Sequence, residues 1–360
     1  NLRCRYCYLG SEAEEMDFET AVKIIDAMVK SADKKSNTFQ IRFFGGEPLL
    51  NWDVIQNVIA YCNKVQKSLG VGFKFYLSTN GLMLNDQNIS LLSSNNIKIK
   101  VSVDGSKDIY NSYRVSSNIN DVYAALQKKL KILFSRFPSE LLTAGITNNF
   151  NSINFFENLK NAYTLGFTNY YMQFVYNNDF YSEDVSYILA REREKILSEY
   201  EKMLLFIYEK AVSGEILYLN LFDSFIKHTF SPYEGSVSCF AGVCSYSADC
   251  NGEYYFCQRF YHNDNFKIGS IKEGFDKKKI DAIRAENNML RCKECWISSF
   301  CNGGCYFNNY KNQDILNEYM DSSCSIKKAL YEKIIFYLFE ISDHSTEYIN
   351  TIFNKSNFVE

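Results

Sequence analysis

Several features that mark other classes of protein are scarce in this chain of 360 residues. Proline occurs only three times, which argues against long proline-rich linkers. Lysine and arginine together number 39 against 42 aspartates and glutamates, so no basic excess points to a nucleic-acid partner. No run of 18 apolar residues occurs, so no transmembrane helix is predicted. We therefore predict a cytoplasmic protein whose partners include neither nucleic acid nor a membrane.

Cysteine, in contrast, is abundant and unevenly placed. Of the twelve cysteines, Cys4 and Cys7 stand at the start, Cys62 stands alone, and nine lie between Cys239 and Cys324. Thiols clustered at spacings of two to five residues in a large chain are typical of metal or iron–sulfur ligands rather than of disulfides. Cys62, on a predicted helix, is interpreted as an inert buried thiol.

Strand-like and helix-like segments alternate through the first half of the chain, which predicts an α/β fold with parallel strands in a barrel or partial barrel. The predicted strands are Phe39–Phe44, Phe73–Leu77, Ile97–Val103, Leu141–Thr147 and Tyr170–Val175. Polar turns follow several of these strands. In β/α barrels the carboxyl ends of the strands carry the chemistry.

Changes in amino-acid composition along the chain divide it into four predicted parts. The barrel is expected over residues 1–182, and connecting helices over 183–234 include a long helix at Asp184–Val212 and a helical turn at Phe222–Phe230. Residues 235–325 are rich in cysteine, glycine and asparagine, which indicates a small metal-stabilised domain. Residues 326–360 are expected to form a helix, Ile326–Ile341, and a polar tail.

The segment Asn1–Cys7 reads Asn-Leu-Arg-Cys-Arg-Tyr-Cys. Two thiolates separated by two residues bind one metal or one cluster edge, and taken alone the pair also fits zinc or redox chemistry. In its context the segment resembles the radical S-adenosylmethionine (radical SAM) enzymes, whose signature is Cys-x3-Cys-x2-Cys with an aromatic residue, here Tyr6, before the last cysteine. The first cysteine of that signature would directly precede Asn1. Either the chain was cut immediately after that cysteine, or its cluster is incomplete; since the chain also lacks an initial methionine and a first strand, we expect the former.

In this family three thiolates bind a 4Fe–4S cluster, and SAM chelates the fourth iron. Gly45-Gly46-Glu47-Pro48 follows a predicted strand and matches the family motif that binds the SAM amino group; read alone it would be a plain strand-to-helix turn. The next strand-end motifs and Arg114, which alone would be a surface arginine, also match. The resemblance implies that SAM is bound by Tyr6, Gly45, Gly46, Glu47, Pro48, Ser78, Asn80, Ser102, Asp104 and Arg114, and that the first cluster is bound by Cys4 and Cys7.

The remaining cysteines resemble the seven-cysteine SPASM pattern, an auxiliary-cluster domain of peptide-modifying radical SAM enzymes. Two four-iron clusters need eight thiolates, so an eighth ligand is required, and Cys244 is preferred to its rival Cys250. A structural zinc ribbon, the alternative, would use only four of the nine cysteines. By resemblance, the first auxiliary cluster is bound by Cys239, Cys244, Cys257 and Cys305, and the second by Cys292, Cys295, Cys301 and Cys324.

The resemblance implies a partial (β/α)6 barrel, without its first strand in this chain, followed by a small iron–sulfur domain. It also implies an oxygen-sensitive enzyme with SAM and three 4Fe–4S clusters, supplied with electrons by a donor such as flavodoxin or ferredoxin. The function expected first is maturation of a ribosomally made precursor peptide through a thioether or carbon–carbon cross-link. No catalytic residue is assigned, and the three histidines are interpreted as structural or exposed.

Two alternatives remain at this point. An anaerobic sulfatase-maturing enzyme, which makes formylglycine, would carry an aspartate base after Cys257, where this chain has Gln258. A non-catalytic iron–sulfur electron-transfer protein would not need the SAM-binding motifs.

Overall fold

The computed structural model describes residues 1–9, 14–31, 38–176, 178–222, 225, 239–286, 292, 294–301, 303–313 and 321–354. The chain divides into two compact units. The first consists of Asn1–Ser102, Asn111–Leu142 and Phe240–Ala285, and the second of Val103–Tyr110, Thr143–Cys239 and Glu286–Glu360. The predicted divisions after residues 182, 234 and 325 stay a prediction.

Strands and helices alternate along the first 219 residues. In chain order they are β1 Arg3–Cys4, α1 Phe18–Ser31, β2 Thr38–Phe43, α2 Trp52–Leu69, β3 Gly72–Thr79, α3 Asp86–Ser94, β4 Lys98–Ser102, α4 Lys107–Tyr113, β5 Arg114–Val115, α5 Val122–Arg136, β6 Leu142–Asn148, α6 Phe155–Thr164, β7 Asn169–Phe174, α7 Val185–Arg191, α8 Arg193–Val212 and β8 Tyr218–Leu219.

Shorter elements follow. They are β9 Ser247–Ala248, β10 Glu253–Tyr255, β11 Lys267–Ser270, β12 Gly274–Phe275, α9 Lys277–Glu286, α10 Ser298–Cys301, α11 Tyr306–Gln313, α12 Asp321–His344 and α13 Thr346–Asn354. The four strands β9 to β12 form an antiparallel sheet in the order β12-β11-β10-β9.

Each unit contains three parallel strands. In the first unit β3 pairs in parallel with both β2 and β4. In the second unit β7 pairs in parallel with both β6 and β8. The predicted α/β class with parallel strands is therefore confirmed.

The spacing of apolar residues along α2 explains which face of this helix is buried. In α2, Ile55, Val58, Ile59 and Cys62 repeat at helical intervals and are buried. Helix α2 ends where Gly70 adopts a left-handed conformation, with φ of 68°, and its amide donates to the Gln66 carbonyl. Cys62 is fully buried, and burial raises the pKa of its thiol to about 12, as expected of an inert cysteine.

Two predicted helices differ from the structure. The segment expected as one helix over Asp184–Val212 is broken into α7 and α8 at Glu192, whose φ of −95° and ψ of 11° are not helical. The helix expected from Ile326 begins at Asp321, so Cys324 lies in its first turn. Of the turn predicted at 222–230, only Phe222 and Phe225 belong to the described residues.

Within the part of the chain that the structure describes, no helix has the length and apolar composition that crossing a membrane requires.

Gly81, directly after β3, tests how tightly the strand ends are packed. Its φ is 81°, and a Cβ there would lie 2.7 Å from Leu126 Cδ1 and 3.1 Å from Val101 Cγ1. Gly81→Ala should therefore lower the thermal unfolding midpoint through both backbone strain, roughly 1–2 kcal/mol, and overpacking, about 1–3 kcal/mol. Gly70→Ala is the matched control, because its φ is also positive but its Cβ would meet no described atom within 4 Å. Equal losses in the two variants would contradict the packing argument.

Candidate active site

The carboxylate of Glu47 is buried at the end of β2, where the chain turns through Gly45-Gly46. Glu47 caps the short 3-10 helix Pro48–Asn51, since its Oε1 accepts a hydrogen bond from Leu49 N at 3.1 Å. The same oxygen accepts from Thr79 Oγ1 at 2.7 Å, and Oε2 accepts from Asn80 N at 2.8 Å. Three donors from two chain segments thus hold a side chain that is only 7% exposed.

Burial raises the pKa of Glu47, although the hydrogen bonds from Asn80, Thr79 and Leu49 oppose that change. A buried carboxylate of this kind gains most from a cation placed against it. Next to it, a Cβ built on Gly45 or Gly46 would meet no heavy atom of the described residues within 4 Å. The pair of glycines therefore leaves room beside the carboxylate, which fits a ligand that carries an ammonium group, as SAM does.

Asn80 connects this carboxylate to the start of the chain. Its Nδ2 donates to Asn1 Oδ1 at 2.8 Å, and its Oδ1 accepts from Leu82 N at 3.0 Å. Thr79, which sequence analysis missed, supplies the hydroxyl donor to Glu47. Thr79 could have been predicted from the sequence. Side chains alternate along a strand, and Thr79 falls on the same buried face of β3 as Phe75 and Leu77.

The predicted cluster cysteines lie on a turn held by Arg114. Strand β1 pairs in antiparallel fashion with β5, which places Cys4 opposite Arg114. Arg114 Nη1 donates to Cys4 Sγ at 3.6 Å, and its guanidinium lies 5.6 Å from the centre of the Tyr6 ring. The Cys7 amide donates to the Cys4 carbonyl at 3.0 Å, so both thiols project from one tight turn. Arg114 is buried and is not the surface arginine of the alternative interpretation.

Three other predicted SAM-binding residues lie at or just after the ends of strands, and one of them has a hydrogen bond that stabilises the fold. Ser78 and Ser102 are half-buried at the carboxyl ends of β3 and β4. Asp104 is 1% exposed, and its Oδ1 accepts from Thr147 N at 2.9 Å within the second unit. Asp104 therefore stabilises the end of β6, and its contact with SAM stays a prediction.

Cys250 and Cys244, the rivals for one cluster position, differ in their surroundings. Cys250 Sγ donates to Glu14 Oε2 at 3.0 Å, and Tyr261 Oη donates to the same oxygen at 2.6 Å. Burial, together with Glu14, raises the pKa of Cys250 to about 11. The pKa of Cys244 is raised by burial alone. Cys250 thus already has a carboxylate partner, and the assignment of Cys239, Cys244, Cys257 and Cys305 to one cluster stays a prediction.

The four cysteines predicted for the second auxiliary cluster all belong to the second unit. The Cys295 amide donates to the Cys292 carbonyl at 3.2 Å, so these two residues share a turn. Burial raises the pKa of Cys292, and the neighbouring thiols of Cys301 and Cys295 add to that rise. Cys324 lies in the first turn of α12. Among the described residues, no three or more His, Cys, Asp and Glu side chains are arranged to hold a single metal ion.

Lys327, also missed by sequence analysis, lies among these thiols. Its Nζ donates to Cys301 Sγ at 3.9 Å. Burial alone would lower the pKa of Lys327, but Cys301, Tyr176, Cys324 and Cys305 raise it above the ordinary value. A cation therefore stands next to the sulfur atoms that are predicted to bind iron.

Comparison with known proteins identifies the class of the N-terminal domain. Residues 1–149 match the model of the radical SAM superfamily. The chain is 24% identical over 358 residues to a cysteine-type anaerobic sulfatase-maturating enzyme of Clostridium novyi, covering 93% of this chain and 92% of that protein. It is 25% identical over 148 residues, 37% of this chain and 30% of the relative, to the radical SAM cyclopropyl synthase TigE of Paramaledivibacter caminithermalis.

A solved structure of polyhistidine-tagged anSMEcpe with bound AdoMet, which is SAM, superimposes with a TM-score of 0.79. The sequence identity is 18%, and the match covers 99% of this chain and 96% of that one. At this identity the likeness shows the fold, which is the predicted partial barrel followed by a cysteine-rich region.

Residues 1–149 are therefore a radical SAM domain, and the chain is an enzyme that carries this domain. Along nearly its whole length it is similar to the sulfatase-maturating branch of these enzymes.

Glu47→Gln should weaken SAM binding by on the order of tenfold, because a hydrogen bond to a charged group contributes roughly 1.5–3 kcal/mol. The neutral amide also places an NH2 group against one of the backbone amides that now donate to the carboxylate. Titration calorimetry with SAM measures the loss. Glu140→Gln, at an exposed position, is the control and should bind SAM normally.

The pH dependence of SAM affinity provides a second measure of the same contact. Only the ionised carboxylate attracts the ammonium, so affinity should fall as the pH is lowered through the pKa of Glu47. Because burial raises that pKa, the fall should begin at a higher pH than for an ordinary glutamate. Normal affinity and an unchanged pH profile in folded Glu47→Gln protein would rule out this role.

Proposed function

We propose that this enzyme modifies a ribosomally made peptide by forming a thioether or carbon–carbon cross-link between its side chains. A peptide substrate is supported by the relatives, since one solved structure is native anSMEcpe with bound AdoMet and the Kp18Cys peptide, at 19% identity and a TM-score of 0.73. The cross-link itself is supported by one residue, Gln258.

When bound, a reduced 4Fe–4S cluster and SAM together supply a radical that removes a hydrogen atom from an unactivated carbon. Cys4 and Cys7 are the ligands this chain offers to that cluster, and Arg114 donates to the Cys4 sulfur. Glu47 would accept from the SAM ammonium while Thr79 and Asn80 hold it in place. These residues would bind and orient the cofactor. The groups that react to form the cross-link belong to the peptide substrate.

The side chain of Gln258 is the feature that distinguishes between the two candidate enzyme functions. It follows Cys257 at the start of the 3-10 helix Gln258–Phe260 and is exposed. In the sulfatase-maturing enzymes that this chain resembles, an aspartate at this position acts as the base. A neutral amide has no useful basicity near pH 7, so Gln258 does not accept a proton.

Formylglycine formation is the second candidate, and the full-length similarity to sulfatase-maturating enzymes favours it. It requires another residue of this chain to replace the aspartate base. The two functions give different products from suitable peptides, so one experiment separates them.

With SAM, a reductant such as reduced flavodoxin, and a cysteine- or aromatic-rich peptide encoded beside its gene, the enzyme should release 5′-deoxyadenosine and a peptide lighter by two hydrogens for each cross-link. The radical takes one hydrogen atom, bond formation releases one proton, and one electron is left to be carried away. Mass spectrometry measures the product. An aldehyde on a sulfatase-type cysteine peptide, with no loss of two hydrogens from the other peptide, would favour formylglycine formation instead.

Iron analysis tests the proposed cluster set. The full-length protein, reconstituted without oxygen, should hold about twelve iron atoms in three four-iron clusters. Replacing Cys4 and Cys7 together by Ala should remove about four iron atoms, and Cys62→Ala, at a buried cysteine without a proposed ligand role, should remove none. Zinc in place of iron at the C-terminal cysteines would contradict the two auxiliary clusters.

A further inference from the structure

Lys327 lies on α12 one turn after Cys324, so the two side chains share a face of the helix. Its Nζ donates to Cys301 Sγ at 3.9 Å, and Cys305 is a further neighbour. The side chain as a whole is half-buried. The ammonium group therefore faces thiols supplied by three different points of the C-terminal region.

Tyr176 is a further neighbour of Lys327. It follows β7 by two residues, and its hydroxyl forms a hydrogen bond with Ser323 in the first turn of α12. Burial of that hydroxyl raises the pKa of Tyr176, so the group stays neutral. Tyr176 thus links the segment after β7 to the first turn of α12, which directly precedes Lys327.

Lys333, six residues further along the same helix, is a useful contrast. It forms an ion pair with Glu201, and that glutamate also accepts from Tyr337 Oη at 2.8 Å. Lys333 has a carboxylate partner, whereas the Nζ of Lys327 donates to the thiol of Cys301. Taking an ammonium group out of water is costly unless negative charge lies beside it, and thiolates on iron supply that charge.

We propose that Lys327 raises the reduction potential of the cluster bound by Cys292, Cys295, Cys301 and Cys324, so that this cluster accepts the electron left on the peptide. Reduction adds one negative charge to a cluster, and a nearby ammonium group stabilises the reduced form. Hydrogen bonds to cluster sulfurs and net charge both set such potentials.

This inference rests on the proposed auxiliary clusters and on the cross-linking reaction. In that reaction the peptide carbon radical bonds to a thiol sulfur, the S–H bond breaks with loss of a proton, and one electron remains. The electron passes to the oxidised cluster, which becomes reduced by one electron, so charge and atoms balance.

The test is a redox titration followed by electron paramagnetic resonance. The protein carries Cys4→Ala and Cys7→Ala, so that only auxiliary clusters contribute to the signal. In Lys327→Met, the ratio of reduced to oxidised cluster at the original midpoint should fall at least tenfold, which is about 59 mV for a one-electron couple. Lys327→Arg keeps the charge and should shift the ratio by less than threefold. Lys333→Met, the matched control on the same helix, should leave the potential unchanged.

Each result decides the matter. If the Lys327→Met protein retains about eight iron atoms and its reduction potential is unchanged, the proposed role of Lys327 is wrong, but the auxiliary clusters are still supported. Loss of about four iron atoms from both Lys327→Met and Lys327→Gln would show that the lysine only holds the ligand turns together, which also overturns the role. Absence of auxiliary iron from the parent protein would overturn the clusters and the inference together.

Discussion

The buried carboxylate of Glu47 is the constraint around which the strand-end site is built. Its three donors come from the turn after β2 and from the end of β3, so the two strands must keep their register for the bonds to form. The three hydrogen bonds hold the carboxylate in place, and burial makes its charge costly unless a cation lies beside it. A ligand that supplies this cation would stabilise the folded site by mass action, so the predicted SAM binding at Glu47 would be coupled to local stability.

In the cysteine-rich part of the second unit, the fixed charged group is positive, whereas that of Glu47 is negative. There the fixed group is a cation, Lys327, and its neighbours are sulfur atoms that acquire negative charge when they bind iron. In the first unit Arg114 stands beside Cys4 in a similar way, although its guanidinium also faces the Tyr6 ring. Cationic side chains next to predicted iron ligands thus recur in this chain, and in each case a half-buried or buried cation gains from the charge of the bound group.

Local pattern predicted much of the fold. Short apolar runs that end at glycine-containing turns placed β2, β3 and β4 within one or two residues, because both signals are short-range. The break at Glu192 was missed, since the helical apolar period continues through it and only its dihedral angles show the interruption. Lys327 and Tyr176 were missed for a different reason. Their electrostatic interaction joins residues about 150 positions apart in sequence, and no spacing rule encodes it.

Residue 258 shows why similarity and function have to be argued separately. A relative of 24% identity over nearly the whole chain shares the scaffold, but about three residues in four differ, and catalysis depends on a few of them. The scaffold transfers cofactor binding, because Glu47, Asn80 and Arg114 have contacts that suit it. It does not transfer a base, because the side chain after Cys257 is a neutral amide exposed to solvent. A reaction that draws on the shared cofactor but takes its reacting groups from the substrate is therefore the one that these residues favour.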